Sequence, residues 1–139
     1  MPAVTIDVVF LHGAGTGAFD EDAALADSLA RHLGSGFSVA FPRLPEDDPD
    51  DERWLDAIGA AIGAAIDAAS EPVVLVGHSI GGYLLVKHLA LRPSPRAVAA
   101  ICLIAAPFPG ADPAWTFDGF DLPDDLDRLL PADAPVLLC

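Results

Sequence analysis

Ser79 is the residue of this sequence best placed to do chemistry, because it stands between two glycines in Gly77-His78-Ser79-Ile80-Gly81. Residues 73–76, Val-Val-Leu-Val, precede it as a short continuous apolar run, the pattern of a strand buried on both faces. Residues 82–91 follow with a helical composition. A strand, a sharp turn with serine at its apex and a helix together give G-x-S-x-G its meaning as a nucleophile turn. The flanking glycines let the backbone turn without a Cβ clash, so the hydroxyl stands clear at the strand's carboxyl end. The plainer reading is a glycine-rich turn with an incidental serine; the strand before it and the helix after it favour the nucleophile.

A serine nucleophile needs a base to take its proton and backbone donors for the oxyanion that forms on attack. In G-x-S-x-G enzymes one donor is the N–H after the serine, here Ile80, and the other comes from the loop after the neighbouring strand. That loop is His12-Gly13-Ala14-Gly15-Thr16-Gly17, with Ala14 the first choice of donor and Gly15 the second. The base is harder to find. His78 should point away from Ser79 at a sharp turn, and His32 lies near the end of the first expected helix. His88 is nine residues beyond Ser79, roughly 13 Å of helical rise and on the opposite face. His12 is nearest the crevice, where a histidine more often orients the loop than acts as base. Asp112 follows the fourth expected strand, but Pro109-Gly110-Ala111-Asp112-Pro113 reads equally well as an ordinary turn.

The elements that must hold these residues alternate. Strands are expected at residues 4–11, 37–41, 73–76, 98–106 and 136–138, and helices at 20–33, 51–69, 82–91 and 124–130. Leu25, Leu29 and Leu33 repeat on one face of the first helix, Gly34 stops it, and Leu55, Ile58, Ile62 and Ile66 line the second. Gly59 and Gly63 are expected to let that second helix pack closely on the sheet. The proline pair of Pro93-Ser94-Pro95 ends the third helix. This alternation predicts a single α/β domain over residues 1–139, with a doubly wound, mostly parallel sheet of order 2-1-3-4-5 and helices on both faces. Ligands bind such sheets at the switch point between strands 1 and 3, where the two glycine-rich turns would be neighbours.

Composition narrows the partners. The 21 acidic and 7 basic residues leave a net charge of −14, which repels phosphate backbones and anionic lipid, so neither nucleic acid nor a membrane surface is expected. Apolar residues make up 53% of the chain, yet neither residues 57–66 nor 97–111 reach the about 20 apolar positions of a membrane span. The N-terminus lacks a basic n-region, and a cytoplasmic location is expected. Cys102 and Cys139 have no disulfide-framework or metal spacing. The acidic residues 46–52 read as a solvated loop feeding charge into the next helix rather than as a metal site. No metal and no cofactor are expected.

The His12-Gly13 and Gly77-His78-Ser79-Ile80-Gly81-Gly82 motifs together resemble the α/β-hydrolase superfamily, over its N-terminal two-thirds. The Phe117-Asp118-Gly119-Phe120 connection resembles that of compact members without a large cap domain. Within the superfamily the chain is similar to the small serine hydrolases grouped with retinoblastoma-binding protein 9. The resemblance implies a carboxylic ester or related acyl substrate, with Ser79 catalytic, Ile80 and Ala14 as oxyanion donors, and His12, Gly13, Gly15, Gly77, His78 and Gly81 as supporting loop and elbow. It also implies a triad acid after the strand at residues 136–138 and a histidine beyond one more strand. The expectation is therefore a C-terminally incomplete hydrolase of impaired activity, with an uncovered sheet edge that invites self-association. Trp115, Phe117 and Phe120 are expected to cover the core or shape the site, core being the default.

Two rivals remain. A non-catalytic interaction protein on a hydrolase frame would lack a working base. A dinucleotide-binding module of NADP type would use Gly13-Ala14-Gly15-Thr16-Gly17-Ala18, a match to G-x-G-x-x-A, with Arg43 facing a 2′-phosphate.

Overall fold

Val8 and Phe10 project to one side of the first strand, Val9 and Leu11 to the other, and all four are buried. Side chains alternate along a strand, so burial on both sides marks a strand inside a sheet covered on both faces. The computed structural model describes residues 4–48, 50–92, 98–114 and 119–139. In it, β1 (Ile6–Leu11) lies between β2 (Phe37–Ala40) and β3 (Val73–His78), followed by β4 (Val98–Ile104) and β5 (Val136–Leu138). The five strands run in the order β2-β1-β3-β4-β5 and every pairing is parallel, as the alternation predicts.

Helix α1 (Ala18–Leu33) packs Ala26, with Leu25, Leu29 and Leu33, against Val8, Phe10 and Val76. On the opposite face, α2 (Asp51–Ala68) and α3 (Ile80–Leu91) cover Val9, Leu11, Val73, Leu75, Ile101 and Leu103. The short α4 (Leu126–Leu129) adds Leu126 to that larger core. Gly34, at φ 82, closes α1 as expected. Leu55, Ile58, Ile62 and Ile66 are buried on α2 as the spacing requires, joined by Trp54, whose indole N–H donates to Asp48 O at 3.0 Å. The acidic run caps this helix. The Asp50 carboxylate accepts the Glu52 amide at 3.0 Å, and Asp48 pairs with Arg53 at 2.7 Å.

Several boundaries differ from the sequence reading. β1 starts at Ile6, β3 runs on through Gly77 to His78, and α3 begins at Ile80 rather than at residue 82. β4 ends at Ile104 because Ala105 turns to φ 49, outside the extended region. The role expected for Gly59 and Gly63 also needs correction. Gly59 meets α3 rather than the sheet: a Cβ there would lie 2.9 Å from His88 Nε2, whereas one on Gly63 would meet nothing within 4 Å. Helix α2 is held to α3 by this approach and by Arg92, which reaches Glu52 at 2.7 Å and Asp56 at 2.6 Å.

The connection after β4 is tied back to α3. The Tyr83 hydroxyl lies 2.9 Å from Gly119 O and 3.0 Å from Asp121 O, and Lys87 Nζ donates to Gly119 O at 2.8 Å. Phe120 is buried edge-on against Tyr83, a core role as expected. Trp115, Phe117, Asp118 and the Pro93-Ser94-Pro95 stop lie outside the described residues. At the sheet's far edge Val136, Leu137 and Leu138 are 41%, 54% and 68% exposed. No helix among the described residues is long and apolar enough to cross a membrane.

His88 is buried at the α2–α3 contact with no partner on Nδ1 among the described residues. Burial first, and then the charge of Arg92, hold its pKa below the ordinary 6.5. The unfolded chain therefore takes up this proton before the folded one does. Stability is full above 6.5 and is lost as pH falls through that value toward the folded-state pKa. Urea midpoints should drop between about pH 7.5 and about pH 5.5, and drop less in His88→Leu. An equal drop in both proteins would remove His88 as the cause.

Candidate active site

The turn after β3 is built by what its glycines lack. A Cβ on Gly77 would lie 2.5 Å from Gly82 Cα, and one on Gly82 would lie 2.8 Å from Ala106 Cβ. A Cβ on Gly81 would overlap the carbonyl oxygen of His12. The start of α3 can therefore sit directly on the ends of β1 and β3. Ser79, between them, takes φ 53 and ψ −129, a sparsely populated positive-φ conformation that costs a non-glycine residue of order 1–3 kcal/mol. Its amide donates to Ile104 O at 2.9 Å, and its carbonyl accepts from Gly82 at 2.9 Å and Tyr83 at 3.2 Å. With both backbone groups bonded, the surroundings hold the strained geometry. The side chain has no hydrogen-bond partner among the described residues.

The loop after β1 lies against this turn, as the strand order requires. A Cβ on Gly13 would be 3.4 Å from Ser79 Cβ and 3.8 Å from Asp22 Oδ2. His12, fully buried, anchors the loop. Its Nε2 accepts the Leu44 amide at 2.8 Å, so the proton is on Nδ1, which donates to Gly13 O at 2.7 Å. The ring also meets Phe19, Phe41 and Trp54 edge-on. With its lone pair committed to Leu44, His12 has none left for a serine proton. It positions the loop and is not a base in this arrangement.

Three consecutive amides can now be sorted. Gly13 N–H donates to Asp22 Oδ2 at 2.9 Å, and Gly15 N–H donates to Glu46 O at 2.8 Å. Ala14 N–H, on an exposed residue between them, has no acceptor among the described residues. Of the two donors left open by the sequence, Gly15 is occupied and Ala14 is free. Ile80, first residue of α3, has no intrahelical acceptor for its N–H either, and the positive end of the helix dipole lies there.

Asp22 is the residue that sequence reasoning missed. It is 7% exposed, and the oxygen that accepts Gly13 N–H also accepts His78 Nδ1–H at 2.8 Å. One carboxylate thus ties the loop after β1 to the residue before Ser79. A signal was present: Ala18, Asp22 and Ala26 recur every four residues on the buried stripe of α1, and an acid there must find donors. His78 is accordingly directed at Asp22, and His32 is exposed and bonded to its own helix through Ser28 O at 2.7 Å. Asp112 accepts the Ala114 amide at 2.9 Å, an ordinary turn contact. A pyrophosphate would need the amides that Asp22 and Glu46 O hold. The Glu46 carboxylate caps Phe19 N–H at 2.6 Å, and Arg43 lies 4.1 Å over the Phe19 ring. Two carboxylates at the start of α1 disfavour phosphate there.

Residues 8–138 match the profile of the Alpha/beta hydrolase family. A protein of Oryza sativa subsp. indica named probable esterase PIR7A is 37% identical over 108 residues, covering 74% of this chain and 40% of that protein. A solved structure reported with LipS and LipT, two metagenome-derived lipolytic enzymes, superposes with TM-score 0.60 at 28% identity, over 87% of this chain and 51% of the other. An acetyl xylan esterase shares the fold, with TM-score 0.56 at 16% identity over 100% of this chain and 82% of its own. The chain thus spans 40% of the length of the Oryza sativa protein it matches.

Removing the Asp22 carboxylate leaves Gly13 N–H and His78 without their acceptor. We expect Asp22→Ala to cost about 1–3 kcal/mol in urea unfolding, and Asp22→Asn, which keeps one acceptor oxygen, to cost less. Equal losses in the two variants would show that the acceptor does not matter.

Proposed function

The chain belongs to the alpha/beta hydrolase family, and on that premise we propose that it is an esterase-like serine hydrolase module acting on a small carboxylic ester or related acyl compound. Ser79 is the nucleophile, and the amides of Ala14 and Ile80 are the oxyanion donors. The observation that carries this reading is Ser79 held at φ 53 at the start of α3, beside a loop whose middle amide has no acceptor among the described residues. The relatives named as esterase or lipolytic support the substrate class.

In this reading Ser79 Oγ attacks the acyl carbon and its proton passes to a base. The carbonyl oxygen becomes an oxyanion held by two N–H groups, and the leaving alcohol departs with a proton. Water then repeats the sequence to free the acid. Oxyanion donors in place before reaction commonly account for 10²–10³-fold in rate per donor, as a rough scale. Among the described residues no base is bonded to Ser79; with solvent alone taking the proton, acylation would be slow compared with a serine held by a histidine. The second reading, a non-catalytic interaction protein on a hydrolase frame, differs in leaving Ser79 unreactive.

A fluorophosphonate probe separates them. Ser79 should become labelled, slowly, and Ser79→Ala should not; an unlabelled intact protein would favour the second reading. The exposed β5 edge supports self-association in either case. Light scattering should then give a mass that rises with concentration, and a monomer at all concentrations would refute it.

A further inference from the structure

Cys102 and Cys139 are far apart in sequence, yet the sheet brings their sulfurs to 3.9 Å. The register explains it. Cys102 on β4 stands opposite Leu137 on β5, so Cys139, two residues on, projects from the same face one step along the ladder. Both backbone groups of Cys139 join the ladder: its N–H donates to Leu103 O at 2.9 Å, and its carbonyl accepts from Ala105 N–H at 2.8 Å. Cys139 is exposed and Cys102 half-buried, and both carry free thiols.

We propose that Cys102 and Cys139 form a reversible disulfide that staples the edge strand β5 to β4. The two residues are diagonal on the ladder rather than opposite, about 7–8 Å apart at Cα, so closing the sulfurs from 3.9 Å to about 2.05 Å takes side-chain rotation together with a shift of the β5 end toward Cys102. A low-molecular-weight disulfide such as oxidised glutathione is the oxidant. The Cys139 thiolate attacks one of its sulfurs and expels one glutathione thiolate, leaving a mixed disulfide. The Cys102 thiolate then attacks the Cys139 sulfur and expels the second. Two protein thiols lose two protons and two electrons, and one glutathione disulfide becomes two thiols. Burial, and then the hydrogen bond to Cys139, push the Cys102 thiol above its ordinary range, so the closing step gains rate as pH rises.

The bond would act on more than the edge. Ala105 N–H is bonded to Cys139 O and Ser79 N–H to Ile104 O, so the β5 end reaches the Ser79 turn through adjacent backbone bonds. The inference does not rest on the hydrolase reading, because its test reads a bond and not an activity.

The intact protein is incubated with oxidised glutathione, digested without reductant and mapped by mass spectrometry. The expected result is a monomer lacking two hydrogens, with the peptides holding Cys102 and Cys139 linked, restored by dithiothreitol and absent in Cys102→Ser and Cys139→Ser. The oxidised monomer should melt higher than the reduced one by on the order of 5–10 °C. Glutathione retained on Cys139, or only cross-linked dimers, would overturn the proposal, and an unchanged melting point in the linked monomer would overturn the staple.

Discussion

The contact on which the rest of this molecule depends is the one between the first turn of α3 and the ends of β1 and β3. Gly81 lies so close to the His12 carbonyl, and Gly77 so close to Gly82, that a single Cβ at either place would force the helix off the sheet. Because the helix seats there, Ser79 must bridge strand and helix within one residue, and its positive φ follows from that demand. The burial of α3 residues such as Leu84, Leu85 and Leu89 holds the helix down against this strain.

A second layer of control is polar. The loop after β1 would be free to flutter if only its glycines governed it. It is fixed by acceptors drawn from elsewhere, Asp22 on α1 and the Glu46 carbonyl after β2, and by its own His12, whose ring donates to Gly13 O and accepts from Leu44 N–H. A buried carboxylate is costly unless it is well bonded, and Asp22 meets that condition with a backbone amide and an imidazole on one oxygen. The result is selective: among the described residues the amides on either side of Ala14 are engaged and its own is not. A loop with a dinucleotide-like glycine pattern thereby presents one donor rather than a cradle of them.

Much of this was legible in the chain. Continuous apolar runs separated by helical patterns carry the parallel topology, since only strands covered on both faces read that way. The glycine spacing around Ser79 carries the sharp turn, because steric exclusion of Cβ is a property of residue type. The position of His12 beside Gly13 suggested a loop-orienting residue, and its bonds to Leu44 and Gly13 agree. Element ends were less legible, as at Ala105, where the backbone leaves the strand without a glycine or proline to mark it.

What the sequence by itself determined is the set of local rules: which runs are strands and helices, where the backbone must turn, and which serine stands at the turn. Those follow from side-chain alternation and from the conformations each residue type allows, which act within a few positions. Only the tertiary structure decided that Gly15 is spoken for and Ala14 is not, that Gly59 serves α3 rather than the sheet, and that Asp22 joins the two turns. Each of these joins residues from separate elements. Partners of that kind are set by the register and depth at which elements dock, a quantity no single stretch of chain encodes.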